Sequence, residues 1–216
     1  LASTAYGGNL NDLWELNPLS NNWTWLKGSK DGGYYGTYGT IGVPLSSNLP
    51  PGRQSLMLWN IGNKIYMFGG TNFDYFNDLW EYDLTTNNWT WLKGSNIVNQ
   101  SGVYGIKGVS AATNTPGARW LSSTFTYNNK IYLFGGDGYN SGSTRGQLND
   151  LWEYDPATNN WRYIHGTGNL GGQPGNYALT GIGNHLNLPT RRWQSTAAAA
   201  GGNAFIFGGF GSYANN

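Results

Sequence analysis

Residues 77–91 read N-D-L-W-E-Y-D-L-T-T-N-N-W-T-W. From Leu79 to Asp83 large apolar and charged side chains alternate, except that Trp80 follows Leu79 directly. Period-two alternation marks a strand with one covered face. The break at Trp80 implies that both faces are partly covered. Thr85, Thr86, Asn87 and Asn88 make a turn cluster, because short polar side chains bond their own backbone and tolerate tight bends. Trp89 and Trp91 then resume period two. The stretch reads as two short antiparallel strands joined by a tight turn.

It is one copy of three. N-D-L-W-E stands at 11–15, 77–81 and 149–153; Trp14 to Trp80 is 66 residues and Trp80 to Trp152 is 72. The tryptophan after each turn is Trp23, Trp89 or Trp161. Two further strings recur. P-x-x-R ends at Arg53, Arg119 and Arg192, and an apolar run ends in Gly69-Gly70, Gly135-Gly136 and Gly208-Gly209. The cyclic order is constant: P-x-x-R, F-G-G, N-D-L-W-E, N-N-W, then a long polar loop. The small, mixed residues after P-x-x-R (54–59, 120–127, 193–200) read as a further strand. Asn128-Asn129 and Gly201-Gly202-Asn203 supply its hairpin turn. No stretch shows sustained helical spacing.

Each unit is therefore four short antiparallel strands, a to d. One such sheet cannot bury both of its faces, and stacking sheets radially solves the problem. The expected fold is all-β: a β-propeller of four-stranded antiparallel blades, with strand a innermost.

The double glycine, then a Tyr, then a Trp seven positions on (Tyr82/Trp89, Tyr154/Trp161) resembles the kelch repeat. Leu16 replaces the Tyr before Trp23. More narrowly, the units are similar to bacterial secreted kelch-type proteins with NDLWEYDP-x-TNNW repeats. The resemblance implies a propeller, not an activity; the family includes binding modules, galactose oxidase and sugar-processing enzymes. The oxidase site needs a Cys–Tyr crosslink and two His ligands, and this chain has no Cys.

The units fall at 1–49 (strands c–d), 50–115, 116–188 and 189–216 (strands a–b). That is three blade equivalents, one of them split between the termini, where propellers typically have about 4–8 blades. Two readings follow. The chain is an excerpt or processed piece of a longer propeller protein, or two copies complete each other's split blade in a six-bladed ring, the cyclic dimer being the commonest closed symmetry. Leu1 is not Met and no signal peptide is visible, so the chain reads as mature or truncated.

Composition narrows the class. Charged residues are 11% of 216, against about 25% in an average domain, while aromatics are 16%. A disordered chain would be poor in aromatics, and a nucleic-acid binder would carry more than a net charge of +1. No apolar run is long enough for a membrane helix. Low charge offset by Asn, Ser, Thr and Gly is a style of extracellular β-proteins, so an extracellular or cell-surface setting is expected.

Antiparallel topology puts the short a–b and c–d turns on one face and the b–c and d–a connections on the other. Binding usually lives on long loops of a rigid scaffold. The d–a loops hold 22, 22 and 23 residues, and the b–c loops six (71–76) and twelve (137–148). Each d–a loop carries a Tyr: Tyr38, Tyr104 or Tyr177. These rings are either exposed stacking surfaces for a ligand, or each loop folds over its neighbour and buries its Tyr; recurrence in every unit favours burial. The non-repeating aromatics Tyr34, Tyr35, Phe73, Tyr75, Phe76, Tyr139 and Tyr213 are the better binding candidates.

Signs of catalysis are few. Eight of 11 acids belong to the repeat, and Asp12, Asp78 and Asp150 are expected to pair with Arg53, Arg119 and Arg192 or to satisfy loop amides. Asp31, Asp74 and Asp137 lie in loops and read as solvated acids before they read as calcium ligands or a carboxylate pair. His165 takes the strand-end slot of Lys27 and Lys93. His185, in the third long loop, joins the candidate ligand-binding residues. No metal site or cofactor is expected. The expected function is non-enzymatic binding of a glycan or protein through one loop face. A self-assembling structural block (homo-oligomer) and a sugar-processing enzyme are the alternatives.

Overall fold

The decisive stretch forms β5 (Leu79–Asp83) and β6 (Asn88–Lys93) in a computed structural model that describes residues 8–168 and 175–211. Tyr213 lies outside the described residues. The chain turns at Asn87, φ +56°, in the left-handed region that Asn tolerates. A β-bulge falls between Leu79 and Trp80, and an extra residue in one strand re-aims its neighbours. Leu79 and Trp80 are both fully buried, Leu79 in one apolar cluster and Trp80 in another. This accounts for the broken alternation: the sheet is covered on both faces.

Two sheets are complete. One runs β3 (Met57–Ile61), β4 (Lys64–Phe68), β5, β6. The other runs β9 (Ser123–Tyr127), β10 (Lys130–Phe134), β13 (Leu151–Asp155), β14 (Asn160–His165), with β7 (Ser110–Ala111) added outside β14. Two are half-sheets: β1 (Leu13–Asn17) with β2 (Asn22–Lys27), and β16 (Thr196–Ala200) with β17 (Asn203–Phe207). Short pairings on the loop side complete the set: β8 (Arg119–Trp120) with β11 (Asp137–Tyr139) and β12 (Arg145–Gln147), and β15 (Arg192–Trp193) with β18 (Phe210–Gly211). The expected all-β propeller architecture is the one observed, and no helix forms among the described residues.

Neighbouring sheets pack face to face. One cluster joins Met57, Trp59, Tyr66, Phe68 and Leu79 to Ile131, Leu133, Trp152, Tyr154 and Trp161 of the next sheet. The other joins Met67, Trp80, Tyr82 and Trp89 to Leu13 and Leu26 of the first half-sheet. Side by side at the centre, β9 contacts both β3 and β16. Backbone bonds continue the inner ring: Leu121 N–H donates to Ser55 O (3.3 Å) and Gln194 N–H to Leu121 O (2.8 Å).

This ring corrects the expected start of strand a. Ser55, Leu121 and Gln194 all have φ between +52° and +59°, so the chain kinks there and regular pairing begins two residues later, at Met57, Ser123 and Thr196. The double glycines have a related reason. At φ +93°, Gly70 would place a Cβ 2.8 Å from Gln54 O, while its N–H donates to Arg119 O of the next unit at 2.9 Å. A side chain there would break the link between sheets.

The d–a loops are straps. Gly42 N–H donates to Trp91 O (2.7 Å) and Asn48 Nδ2 to Trp89 O (2.9 Å), so the first strap lies along β6 of the following unit. The second does the same on β14, through β7, through Gly108 N–H to Tyr163 O (2.8 Å), and through Asn114 Nδ2 to Trp161 O (3.2 Å). These two straps each cover an outer edge that would otherwise offer unpaired backbone groups.

Candidate functional site

The straps decide which of the candidate rings reach solvent. Tyr38 and Tyr104 turn inward, as their recurrence favoured, which corrects their place among the candidate ligand-binding residues. Tyr38 packs 5.0 Å from both Trp80 and Trp91, and Tyr104 4.8 Å from Trp152 and 4.9 Å from Tyr163. Their hydroxyls donate to Asp78 (2.6 Å) and Asp150. The same carboxylates take both terminal nitrogens of Arg53 (2.6 and 2.7 Å) and Arg119 (2.7 and 2.8 Å), and the indole N–H of Trp80 and Trp152 (2.7 Å each). Arg–Asp pairing is thus present, but not in the order expected: Arg53 takes Asp78 and Arg119 takes Asp150, each in a fully satisfied buried cluster. Burial alone would raise the Asp150 carboxyl; the Arg119 charge and the donations from Arg119, Tyr104 and Trp152 outweigh it and hold the group below the ordinary carboxylate range. Burial first, then the Asp150 charge, push the Tyr104 phenol far up.

Asp12 and Arg192 form no ion pair with each other. Arg192 belongs to β15 beside the last half-sheet and Asp12 precedes the first, and these half-sheets do not pair. Tyr177 in the third strap is accordingly 62% exposed.

Tyr75 and Phe76 are buried, correcting their reading as exposed binding rings. The Tyr75 ring packs edge-on against Trp120 (6.1 Å) and Tyr139 (6.0 Å), under the Arg145 guanidinium (4.6 Å). Phe76 lies beneath Arg53 at 4.0 Å. Asp137 pairs with Arg145 at 2.9 Å across the β11–β12 hairpin, and Asp74 accepts from Asn99 Nδ2 at 2.8 Å. His185 is exposed, and its carbonyl meets His165 Nε2 at 3.4 Å. His165 thus ties strand end to strap, as Lys27 does at Ser46 O and Lys93 at Ala112 O. Among the described residues no group of three or more His, Asp and Glu is placed to hold a metal ion.

Three expected rings converge. Tyr34, Tyr35 and Phe73 line one open cleft of about 720 Å³ with Asn9, Gln54, Asn72 and Asp74. Tyr35 is 91% exposed and Phe73 96%. Tyr34 and Tyr35 come from the first strap and Phe73 from the short b–c loop of the following unit. A second hollow of about 550 Å³, with Asp31 in its lining, shares Tyr34 and Tyr35 with the first. Phe73 is held at φ +95°, a region bulky L-residues avoid. Its neighbours hold it there: Asn72 N–H donates to Asp74 O (3.0 Å), Phe73 N–H to Thr71 Oγ1 (3.3 Å), and Tyr75 N–H to Asn99 Oδ1 (2.9 Å). Strain of this kind gathers at functional loops. Asp74 is the one charged group lining the cleft; the rest is amide, hydroxyl, ring and glycine.

Gln54 borders the cleft at a position where the other units carry a ring. The residue after the repeat arginine is Trp120 in the second unit and Trp193 in the third. Those indoles lie 5.9 Å apart, with Phe210 a further 5.9 Å from Trp193, and they fill the corresponding space. In the first unit that position is exposed Gln54. The signal was a departure from the repeat, R-Q against R-W.

With this geometry in place, comparison with known proteins is informative. The KLHDC2/KLHL20/DRC7 Kelch-repeats domain matches residues 42–186. Tip elongation aberrant protein 1 of Schizosaccharomyces pombe is 35% identical over 109 residues, 50% of this chain and 8% of that protein. N-(sulfonatooxy)prop-2-enimidothioate sulfolyase of Thlaspi arvense is 25% identical over 143 residues, 64% of this chain and 35% of the enzyme. The chain thus spans well under half the length of these curated relatives. The solved structure of YjhT superposes with a TM-score of 0.53 at 16% identity, over 91% of this chain and 51% of that one. That likeness shows the fold alone.

Proposed function

As the chain belongs to the kelch-repeat family, a fold that fixes no single activity, we propose that it is a non-enzymatic binding module that takes a protein ligand in the cleft between Tyr35, Phe73 and Gln54. The observation that carries this reading is the placing of two almost fully exposed rings, from two different connections, on one cleft. Exposed aromatic side chains on a rigid frame are the anchors on which interface energy concentrates. The cleft's single charge is the Asp74 carboxylate, so a neutral or basic polypeptide segment suits it. Its amides Asn9, Gln54 and Asn72 accept and donate, which matches peptide groups. They match sugar hydroxyls too, and for that reason a glycan is the second reading. The non-enzymatic reading is supported by the acids outside the repeat: Asp74 and Asp137 are each engaged by a separate neighbour. The proposed setting is extracellular or at the cell surface, in keeping with the low charge content.

The test is a peptide-display screen and a glycan array, each run on the natural protein and on Gln54→Trp, Tyr35→Ala and Phe73→Ala. Gln54→Trp restores the indole of the other units and should fill the cleft without unfolding the sheet. Peptide binding that all three variants weaken at least about tenfold, or ~1.4 kcal/mol, is the expected result. Glycan hits with the same pattern would move the conclusion to the second reading. Binding indifferent to all three substitutions would overturn both.

A further inference from the structure

Where the second strap leaves β6, a groove of about 330 Å³ opens between the strand end and the strap. Ile41, Leu92 and Val103 line it together with Gln100, Thr113 and Lys93. Among the described residues Lys93 is the one charged group in that lining.

The walls are fixed by backbone. Val103 N–H donates to Thr115 O (2.8 Å) and Thr115 N–H to Val103 O (3.0 Å), which folds the strap back on itself. Tyr104, the next residue, is anchored on buried Asp150, and Asn114 Nδ2 holds both Val109 O (2.9 Å) and Trp161 O (3.2 Å). At Gly94, φ +78°, a Cβ would run into Asn77 O, so the turn out of β6 requires glycine.

Lys93 is what points to a ligand. Its ammonium has three N–H donors. One goes to Ala112 O at 2.8 Å, and among the described residues the group meets no carboxylate. Lys64, by contrast, pairs with Glu81, and Lys130 with Glu153 and Asp155. Lys93 is half-buried, and burial holds it below the ordinary lysine value with no neighbouring charge to offset the effect. A cation taken partly out of water without a counter-charge costs the chain free energy, which an anionic ligand would recover.

We propose that this groove is a binding site, separate from the cleft at Tyr35 and Phe73, for a partner polypeptide that sets an Asp or Glu carboxylate on Lys93 and flanking aliphatic side chains on Ile41 and Val103.

The lining chooses that class of ligand. One cation matches one carboxylate, whereas a sulfated or phosphorylated glycan carries several charges and finds a single partner here. No aromatic ring lines the groove, so a sugar has no ring to stack on. Ile41 and Val103 are each about half exposed, and Ile106 and Val109 extend the aliphatic surface along the same strap. A volume of about 330 Å³ lies at the small end of ligand sites, with room for one anchoring side chain. The repeat does not impose this lining: Gln100, Ser101 and Thr115 stand where the first strap has Tyr34, Tyr35 and Leu49.

Two displayed peptide libraries test the proposal, one with Glu and one with Gln fixed at the centre of an otherwise random short segment. Each is panned on the natural protein, on Lys93→Gln and on Lys93→Arg, and selected peptides are titrated by calorimetry. The Glu library should yield binders that lose at least about tenfold in affinity on Lys93→Gln, and again when their own Glu is changed to Gln. That is the least expected from removing a hydrogen bond to a charged group. Lys93→Arg should keep them. Gln54→Trp and Tyr35→Ala should leave them unchanged, which separates this site from the cleft. In amide NMR spectra these peptides should shift the Val103 and Thr113 signals. Lys93→Gln alone should leave distant signals in place; if it disturbs the fold, the Glu-to-Gln change in the peptide still decides. Three results would overturn the proposal: no binder sensitive to Lys93, binders that accept Gln for Glu, or acetate or heparin shifting Val103 and Thr113 where no peptide does.

Discussion

Asp150, like Asp78, is the centre of a buried cluster that ties a strap to a blade. It is fully buried and meets four donors, from Arg119, Tyr104 and Trp152. Removing one partner of such a pair strands a charge in a low-dielectric interior, at roughly 3–5 kcal/mol. Asp150→Asn should lower the urea unfolding free energy by about that much at neutral pH. The pH dependence follows from the direction of the shifts. The carboxyls of Asp150 and Glu153 both lie below their unfolded values. Their stabilisation is complete above the ordinary carboxylate range and is lost as pH falls through the depressed folded values. The gap between natural protein and variant should therefore narrow below about pH 4, and a urea series across pH would show it. Phe73 predicts the opposite sign. Glycine accepts φ +95° without strain, so Phe73→Gly should stabilise the fold by about 1 kcal/mol while weakening binding at the cleft. Thermal unfolding measured alongside binding separates the two effects.

At the scale of the element, the hairpin Asn128-Asn129 joins β9 to β10 with φ of +49° and +57°. Two successive left-handed residues are what the favoured two-residue hairpin turn requires, and Asn-Gly suits it best. Asn129→Gly should raise stability by about 0.5 kcal/mol, and Asn129→Val should lower it by more; chemical denaturation of the pair checks both. This turn was legible in the sequence because Asn-Asn between two apolar runs has a mechanism. The break of alternation at Trp80 was legible too, as a sheet covered on both faces. The kinks at Ser55, Leu121 and Gln194 were not. Those residues do not favour φ > 0 intrinsically, and the hydrogen-bonded inner ring of adjacent units imposes it. Nor was the burial of Tyr75, which depends on Trp120 45 positions further along the chain. The site was half legible: Tyr35 and Phe73 stand out as aromatics outside the repeat, while Gln54 is visible only by comparing the three units.

For the whole molecule, the packing of sheet on sheet sets the cooperativity. Trp152 is fully buried and touches Tyr104, Trp161 and Tyr163. Trp152→Ala should cost about 3–5 kcal/mol. The cluster around it also contains Met57, Phe68 and Leu79 of the preceding sheet. The loss should therefore lower the midpoint of one shared transition rather than split it in two, and calorimetry would decide. The strap that carries Tyr104 leaves β6, crosses to the following unit and seals its outer strand at Trp161 and Tyr163. A sheet alone is consequently not a transferable module. A recombination event that moved β9–β14 into another protein would leave behind its outer seal and its Tyr–Asp contact. Cuts just after β6 and just after β14 carry the strap together with the four strands that it seals, and grafting experiments should respect that boundary.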